Sequence, residues 1–199
     1  MNRKRDPVNG YILAGGKSLR MGTDKAFLAF RGKTLIQHVI EKLSPAVDEI
    51  IVISNNLSFS EMKTDVISDV IKDKGPAGGI HAALQHCSSS KIFVVSCDMP
   101  FVNTEAIKHI IKNSLNTQIT LPFHKNNLEP LFGVYSKDCF LQWEQLVQQN
   151  VLKLSDIISH FSLQKLVTDK HPVFTNAMFT NINTKDDFIN AQKVDTNGN

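Results

Sequence analysis

The residues best suited to chemistry lie in short polar or glycine-rich segments that directly follow predicted strands. The first, Gly15 to Lys25, begins with two adjacent glycines and also carries Arg20. Glycines after a strand let the backbone turn sharply and approach a ligand closely. Exposed N–H groups and nearby cations bind phosphate oxygens, so the segment predicts a phosphate-binding loop, with a plain strand–helix turn as the alternative. It matches neither GxxxxGK[ST] nor GxGxxG, which excludes a Walker loop and the dinucleotide fingerprint.

A lone carboxylate, Asp98, follows the apolar strand predicted for Lys91 to Ser96 and precedes Met99 and Pro100. Proline disfavours helical backbone at the residue before it, so the carboxylate is presented at the end of the strand. Mg²⁺ takes one or two carboxylates together with substrate phosphates. Asp98 is therefore a candidate Mg²⁺ ligand, and a cap of the following turn is the structural alternative.

Two further polar segments contain candidate binding residues. Asn181 and Asn183 lie on the same side of an extended segment because side chains alternate, and their amides would hold a phosphate or a metal-bound water. Asp69 lies just before a second glycine segment, Gly75 to Gly79, and would bind a ribose hydroxyl or a base edge. The alternatives are turn and cap chemistry for the asparagines and a solvated loop position for Asp69.

Cysteine and histidine spacing gives no sign of a soft-metal site. The three cysteines form no CxxC pair, and the seven histidines show no HExxH or other zinc spacing. An odd cysteine count argues against a disulfide framework and predicts reduced, mostly buried thiols in a cytoplasmic protein.

Composition excludes several other classes of protein. With 42% hydrophobic and 21% charged residues among 199, the chain has the balance of a globular domain. The net charge of +3 is scattered rather than gathered into a basic stripe, so no nucleic-acid partner is expected. The longest apolar run near the start is Tyr11 to Ala14, too short for a signal peptide or a membrane span.

The elements that must position these residues alternate between strand and helix. Repeated strand–helix units predict an α/β fold, a doubly wound, mainly parallel, Rossmann-like sheet with helices on both faces. We expect one domain over residues 1–199, with residues 1–9 and 195–199 flexible. Ligands of such sheets bind beyond the carboxyl ends of the strands. The segments expected to converge there are Gly15 to Lys25, Asp69 to Gly79, Ser96 to Pro100 and Asn181 to Thr184.

The whole set of motifs resembles one enzyme family. The string from Leu13 to Lys25, of the form LAGGxSxRMGxDK, resembles the signature of the MobA family, the molybdenum cofactor guanylyltransferases. The resemblance extends from about residue 10 to residue 192. Its other landmarks are Gly32 to Leu35, Gly75 to Ile80, Cys97 to Pro100, Pro130 to Phe132 and Asn181 to Thr184.

The resemblance implies a reaction, a cofactor and a site. The reaction joins GTP to molybdopterin carrying molybdenum, with Mg²⁺ as cofactor. The partners that the resemblance implies are acceptor molybdoenzymes and other proteins of molybdenum cofactor biosynthesis. The implied positions are Leu13, Ala14 and Gly15 in the GTP site, Lys25 at the phosphates, Asp69 at the nucleoside, Asp98 at Mg²⁺ and GTP, and Arg20, Asn181 and Asn183 near the reacting phosphates. Either Ser54 or Asn55 aligns with an asparagine that some members offer to the nucleotide.

Three alternatives remain open at this stage. A sister enzyme would use CTP on the same pterin, and a more distant one would act on a sugar phosphate. A non-catalytic protein that carries the cofactor would keep the glycine loop but would not need Asp98.

Overall fold

A mixed eight-stranded sheet forms the centre of the computed structural model, with the strand order β10-β7-β9-β6-β1-β4-β5 and β8 paired to β7. The structure describes residues 6–15, 24–56, 58–59, 62–114, 116–169 and 171–194. The strands of this sheet are β1 (Val8–Leu13), β4 (Ile50–Ile53), β5 (Asp65–Ile67), β6 (Lys91–Ser96), β7 (Ile119–His124), β8 (Asn127–Leu128), β9 (Phe132–Ser136) and β10 (Leu163–Val167). Strands β2 (Ala29–Phe30) and β3 (Lys33–Thr34) form a separate antiparallel pair.

Most neighbouring strands of the sheet run parallel, as predicted. β1 pairs in parallel with β4 and β6, β4 with β5, and β7 with β10. β9 runs antiparallel between β6 and β7, and this insertion leaves β6 and β7 pointing the same way. The carboxyl ends of β1, β4, β6 and β7 therefore lie along one edge of the sheet.

Helices cover both faces of the sheet, which confirms the predicted α/β architecture. Alternation along β1 sends Tyr11 and Leu13 into one apolar layer, and Ile12 and Ala14 into the other. The first layer contains residues of α2, α4 and α5, and the second contains residues of α1 and α3. The helices are α1 (Leu35–Leu43), α2 (Gly75–His86), α3 (Thr104–Asn113), α4 (Phe140–Gln148), α5 (Leu154–Ile158) and α6 (Lys185–Lys193).

The first strand begins earlier than the sequence suggested. β1 starts at Val8, and both Val8 and Asn9 are buried. The Val8 N–H donates to Asp48 at 2.7 Å, and the Asn9 amide donates to Glu49 at 2.9 Å. The expectation of a flexible segment through residue 9 is therefore wrong for Val8 and Asn9, because the carboxylates of Asp48 and Glu49 hold them in the sheet.

Helix α2 also begins earlier than expected, inside the glycine segment. The residues after the glycine segment predict a helix from about Ile80 to Gln85, but the helix starts at Gly75 with Pro76 in its first turn. Pro76 fits there because the first helical N–H groups have no intrahelical partner. A Cβ on Gly79 would lie 2.8 Å from the Leu13 side chain. Glycine at this position thus lets α2 pack directly against the end of β1, and this tertiary contact outweighs the low helix propensity of glycine.

Two other features bear on the class of protein. All three cysteines are buried free thiols, as predicted. Among the described residues, no helix is long and apolar enough to cross a membrane.

Candidate functional site

The side chains of Lys25, Asp98 and Asn183 meet beyond the carboxyl end of β6. The Lys25 ammonium donates to Asp98 Oδ2 at 2.6 Å and to Asn183 Oδ1 at 2.7 Å. These residues come from three of the four segments that were expected to converge. The side chains of Lys25 and Asp98 are only 12% and 13% exposed, so their attraction is less screened than that of a surface pair. We call this group the Lys25–Asp98–Asn183 cluster.

A short 3₁₀ helix, Lys25–Phe27, fixes the backbone of Lys25. Asp24 caps it, because its Oδ1 accepts from the Ala26 N–H at 3.0 Å while its Oδ2 accepts from the Asn56 amide at 2.9 Å. Phe27 packs on Phe59 with ring centroids 4.6 Å apart. The lysine therefore starts from an anchored base, and Asp24 is a positioning residue that the sequence did not single out.

The Asn181–Asn183 segment is pinned directly against Asp98. The Ile182 N–H donates to the Asp98 backbone carbonyl at 3.0 Å, and the Ile182 side chain is buried. Asn181 and Asn183 both remain exposed on the other side of this extended segment, as alternation predicted. Burial of Ile182 in the small apolar cluster with Phe30 thus holds this segment against Asp98, and Asn183 joins the carboxylate through its hydrogen bond from Lys25.

The start of α6 fixes Asn183 from the other direction. Asp187 accepts from the Asn183 N–H at 2.9 Å and from the Thr184 N–H at 2.8 Å, and Thr184 Oγ1 accepts from the Asp187 N–H at 3.1 Å. Thr184 and Asp187 thus form a capping box, with aspartate at the third helical position. The hydrogen bond from the Asn183 N–H is the main reason why the pKa of Asp187 is lowered.

One oxygen of Asp98 fits a metal ligand. Asp98 Oδ1 is buried and has no hydrogen-bond partner among the described residues. A buried acceptor without a partner costs about 1–3 kcal/mol, more for a charged group, and a divalent cation would satisfy it. Within the part of the chain that the structure describes, no three His, Cys, Asp or Glu side chains gather to hold a metal. A sparse oxygen site suits Mg²⁺, which keeps waters and substrate phosphates as ligands.

Asp69 lies at the end of β5 in a reciprocal pair with Asn55. The Asn55 amide donates to Asp69 Oδ2 at 2.9 Å, and Asn55 Oδ1 accepts from the Asp69 N–H at 3.0 Å. Burial raises the pKa of Asp69, and the hydrogen bond from Asn55 opposes that shift. Ser54 is buried and accepts from the Asn56 N–H at 3.2 Å. Of the two alternatives left open, Asn55 is the exposed residue, and its side chain pairs with Asp69.

Leu13, Ala14 and Gly15 lead from β1 into this edge. The Leu13 and Ala14 side chains are buried in opposite core layers, so a ligand would meet their main chain. Gly15 is exposed, and a Cβ placed on it would meet nothing within 4 Å. The remaining candidate, Arg20, lies outside the described residues, as does the rest of the loop from Gly16 to Thr23.

A further carboxylate at this edge, Glu129, was not anticipated. Glu129 is partly buried, and burial raises its pKa to about 7. Its N–H donates to the Pro122 carbonyl and its carbonyl accepts from the Phe132 N–H, both at 3.1 Å. The neighbouring Leu131 carbonyl accepts from Ser96 at the end of β6. In the sequence, the one feature that could have drawn attention to Glu129 is its position just before the Pro130 to Phe132 landmark.

The fold and the site together define a class of protein. A doubly wound sheet with a lysine, a carboxylate and an amide gathered at the carboxyl ends of its central strands is typical of nucleotide-binding transferases.

Comparison with known proteins narrows the class to a family. The model of the MobA-like NTP transferase domain matches residues 10–165. The "probable molybdenum cofactor guanylyltransferase" of Natranaerobius thermophilus is 35% identical over 94% of this chain and 96% of its own length. The molybdenum cofactor guanylyltransferase of Syntrophotalea carbinolica is 34% identical over 89% of this chain and 87% of its own. The chain belongs to the MobA-like NTP transferase family and is a nucleotidyltransferase.

A solved structure agrees with this assignment. The crystal structure of molybdopterin-guanine dinucleotide biosynthesis protein A from Archaeoglobus fulgidus superposes with a TM-score of 0.80 at 28% identity. The match covers 93% of this chain and 97% of that one. The sheet and both helical layers are therefore shared along nearly the whole chain.

Proposed function

We propose that this chain transfers GMP from GTP to molybdopterin carrying molybdenum, forming the guanine dinucleotide form of the cofactor and releasing pyrophosphate. The observation that carries the proposal is the Lys25–Asp98–Asn183 cluster, in which a cation and an amide face an incompletely satisfied carboxylate. The names of the relatives support the choice of GTP and molybdopterin. We expect the reaction to take place in the cytoplasm, before transfer to acceptor molybdoenzymes.

Asp98 would hold Mg²⁺ through its buried Oδ1. When bound there, the ion neutralises charge on the phosphate oxygens of the nucleotide. Lys25 already lies at hydrogen-bond distance from the same carboxylate, so its ammonium needs only a small movement to donate to a phosphate oxygen. Asn183 would remain in place, since its backbone is held by Asp187, and its amide would orient the same phosphate group.

The nucleoside would lie along the ends of β1, β4 and β5. The main chain from Leu13 to Gly15 would contact GTP where β1 ends. The Leu13 carbonyl accepts from the Cys97 N–H and the Ala14 N–H donates to the Ile53 carbonyl, so the path of the chain at this edge is fixed. The Asp69–Asn55 pair would contact the ribose or the base, with Asp69 accepting and Asn55 donating. Arg20, which lies outside the described residues, would bind the phosphates, as the family resemblance implies.

The chemical step requires positioning more than proton transfer. A terminal phosphate oxygen of molybdopterin forms a bond to the α-phosphorus of GTP, and the bond to the bridging oxygen of pyrophosphate breaks. The attacking oxygen belongs to a phosphate monoester and is already anionic near pH 7, so no side chain has to remove a proton. The work of the protein is orientation of the two phosphates and stabilisation of charge in the transition state.

Substrate profiling tests the proposal directly. The purified chain is incubated with Mg²⁺, molybdopterin and each of the four nucleoside triphosphates in turn, and pyrophosphate release is measured. GTP should give the highest turnover, and omission of molybdopterin should abolish release. Preference for CTP would identify the sister activity. Turnover in a parallel assay, with a sugar phosphate in place of molybdopterin, would identify the more distant one. Binding of GTP without pyrophosphate release would indicate a non-catalytic carrier.

A further inference from the structure

A histidine outside the Lys25–Asp98–Asn183 cluster is built into the same edge of the sheet. His124 is the last residue of β7, and its ring Nδ1 lies 2.9 Å from Thr168 Oγ1 and 3.2 Å from Asp169 Oδ1. A carboxylate at Nδ1 places a proton on that nitrogen. The other ring nitrogen, Nε2, has no partner among the described residues.

The backbone around His124 holds this arrangement firmly. The turn that follows β7 places Lys125 and Asn126 at φ values of 45° and 66°, the left-handed conformation of a tight hairpin. The Lys125 N–H donates to the same Asp169 oxygen at 3.1 Å, and the Thr168 N–H donates to the Phe123 carbonyl at 3.2 Å. Both oxygen partners of the ring are therefore fixed by main-chain contacts.

A stacking contact links His124 to the asparagine segment. Its ring stacks on Phe179 with centroids 4.3 Å apart and planes 23° apart. Phe179 is two residues before Asn181, so the Cα atoms of these two residues are at most about 7 Å apart. β6 and β7 are both neighbours of β9 and run the same way, so Asp98 and His124 lie at the same edge of the sheet.

We propose that His124 binds molybdopterin, the anionic acceptor, at the carboxyl end of β7 through a hydrogen bond from Nε2 to its phosphate. Asp169 and Thr168 are the positioning residues. The inference rests on the proposed function and adds an acceptor-binding residue to it. With a proton on each ring nitrogen, the imidazole would donate from Nδ1 to Asp169 and from Nε2 to the ligand. The nucleotide half of the site, at the ends of β1, β4 and β5, lies on the other side of Asp98.

Two substitutions separate the free nitrogen from the anchored one. In His124→Gln the longer amide reaches the place of Nε2, whereas in His124→Asn it reaches only the place of Nδ1 and the Thr168 hydroxyl. Loss of a charge-assisted hydrogen bond costs about tenfold or more in affinity. We expect His124→Asn to raise the KM for molybdopterin by at least about tenfold, with His124→Gln in between. Asp169→Asn should have a smaller effect of the same kind, and His160→Gln, at an exposed position, is the control.

The measurements are the KM for molybdopterin, the KM and Kd for GTP, and the thermal midpoint of each variant. Support requires a raised acceptor KM with GTP constants close to those of the wild type. An unchanged acceptor KM in His124→Asn, or equal effects of the Asn and Gln variants, would overturn the role of Nε2. A wild-type chain that binds GTP but does not turn over molybdopterin would instead refute the proposed function, so the two failures are distinguishable.

Discussion

The Lys25 ammonium lies 2.6 Å from the Asp98 carboxylate, although 73 positions separate the two residues in the chain. Among the described residues, the Lys25 ammonium is the cation that pairs with Asp98, the proposed metal-binding carboxylate. Binding of a metal–triphosphate complex would therefore exchange partners: the metal takes the carboxylate and the lysine takes a phosphate.

Removal of the lysine should have opposite effects on nucleotide and metal. Lys25→Ala should weaken GTP binding by about tenfold or more, because a charged hydrogen bond to phosphate is lost. The same variant should bind Mn²⁺ alone more tightly than the wild type, because the ammonium no longer competes for Asp98. Isothermal titration calorimetry measures both constants. Lys33→Ala is the matched control, since Lys33 pairs with Glu41 at an exposed position. An unchanged dissociation constant for GTP in Lys25→Ala would count against the assignment of Lys25 to the phosphates.

Removal of the Asp98 charge should abolish most activity while the fold persists. Asp98→Asn should lower kcat by about 10²-fold or more, roughly 3 kcal/mol in transition-state stabilisation. Its shape is conserved, so the circular dichroism spectrum should match that of the wild type. Pyrophosphate release in the presence of Mg²⁺ provides the rate. Asp156→Asn, at an exposed position in α5, is the control, and near-normal turnover of Asp98→Asn would refute the metal role.

Glycines 15 and 79 should separate binding from stability. Gly79→Ala should lower the free energy of unfolding by about 1–3 kcal/mol, because the added Cβ meets the Leu13 side chain at 2.8 Å. Gly15→Ala has open space and should leave the thermal midpoint within a degree or two while weakening GTP binding, if the ligand approaches the main chain there. Chemical denaturation and calorimetry give the two quantities. Equal GTP affinity in Gly15→Ala and the wild type would argue against close approach at residue 15.

Stability should depend on pH through Glu129. Burial raises its pKa from the ordinary 4.5 to about 7 in the folded chain. A carboxyl group with a raised folded pKa contributes stability that is fully present below pH 4.5 and is lost as the pH rises through 7. We expect a loss of at most about 2 kcal/mol from this group between pH 5 and pH 8, since it is only partly buried. Urea unfolding of Glu129→Gln should show a shallower pH dependence; identical slopes would contradict the assignment.

The sequence was sufficient for the fold and for the edge at which the site lies. Continuous apolar runs such as Lys91 to Ser96 identify buried strands, and the rule for ligand binding in open sheets then brings Asp98 and Asn183 together. The motif resemblance supplied the substrates, which no spacing or periodicity would have given.

The pairings within the site could not be predicted in this way. Whether Lys25 contacts Asp98 or extends into solvent depends on the 3₁₀ helix that anchors it and on the docking of Ile182, both of which are tertiary effects. The Asn55–Asp69 pair joins the ends of adjacent strands whose register no local pattern determines. Glu129 was missed for a related reason: burial of a carboxyl group is set by packing around the residue, not by its neighbours in the chain.

A crystal structure with GTP and Mn²⁺, with the metal located by anomalous scattering, tests the central claim most directly. The account predicts a Mn²⁺ peak about 2.1 Å from an Asp98 carboxylate oxygen, the triphosphate between that ion and the main chain at Gly15, and the Lys25 ammonium on a phosphate oxygen. An intact Lys25–Asp98 ion pair with the nucleotide and metal bound elsewhere would contradict it.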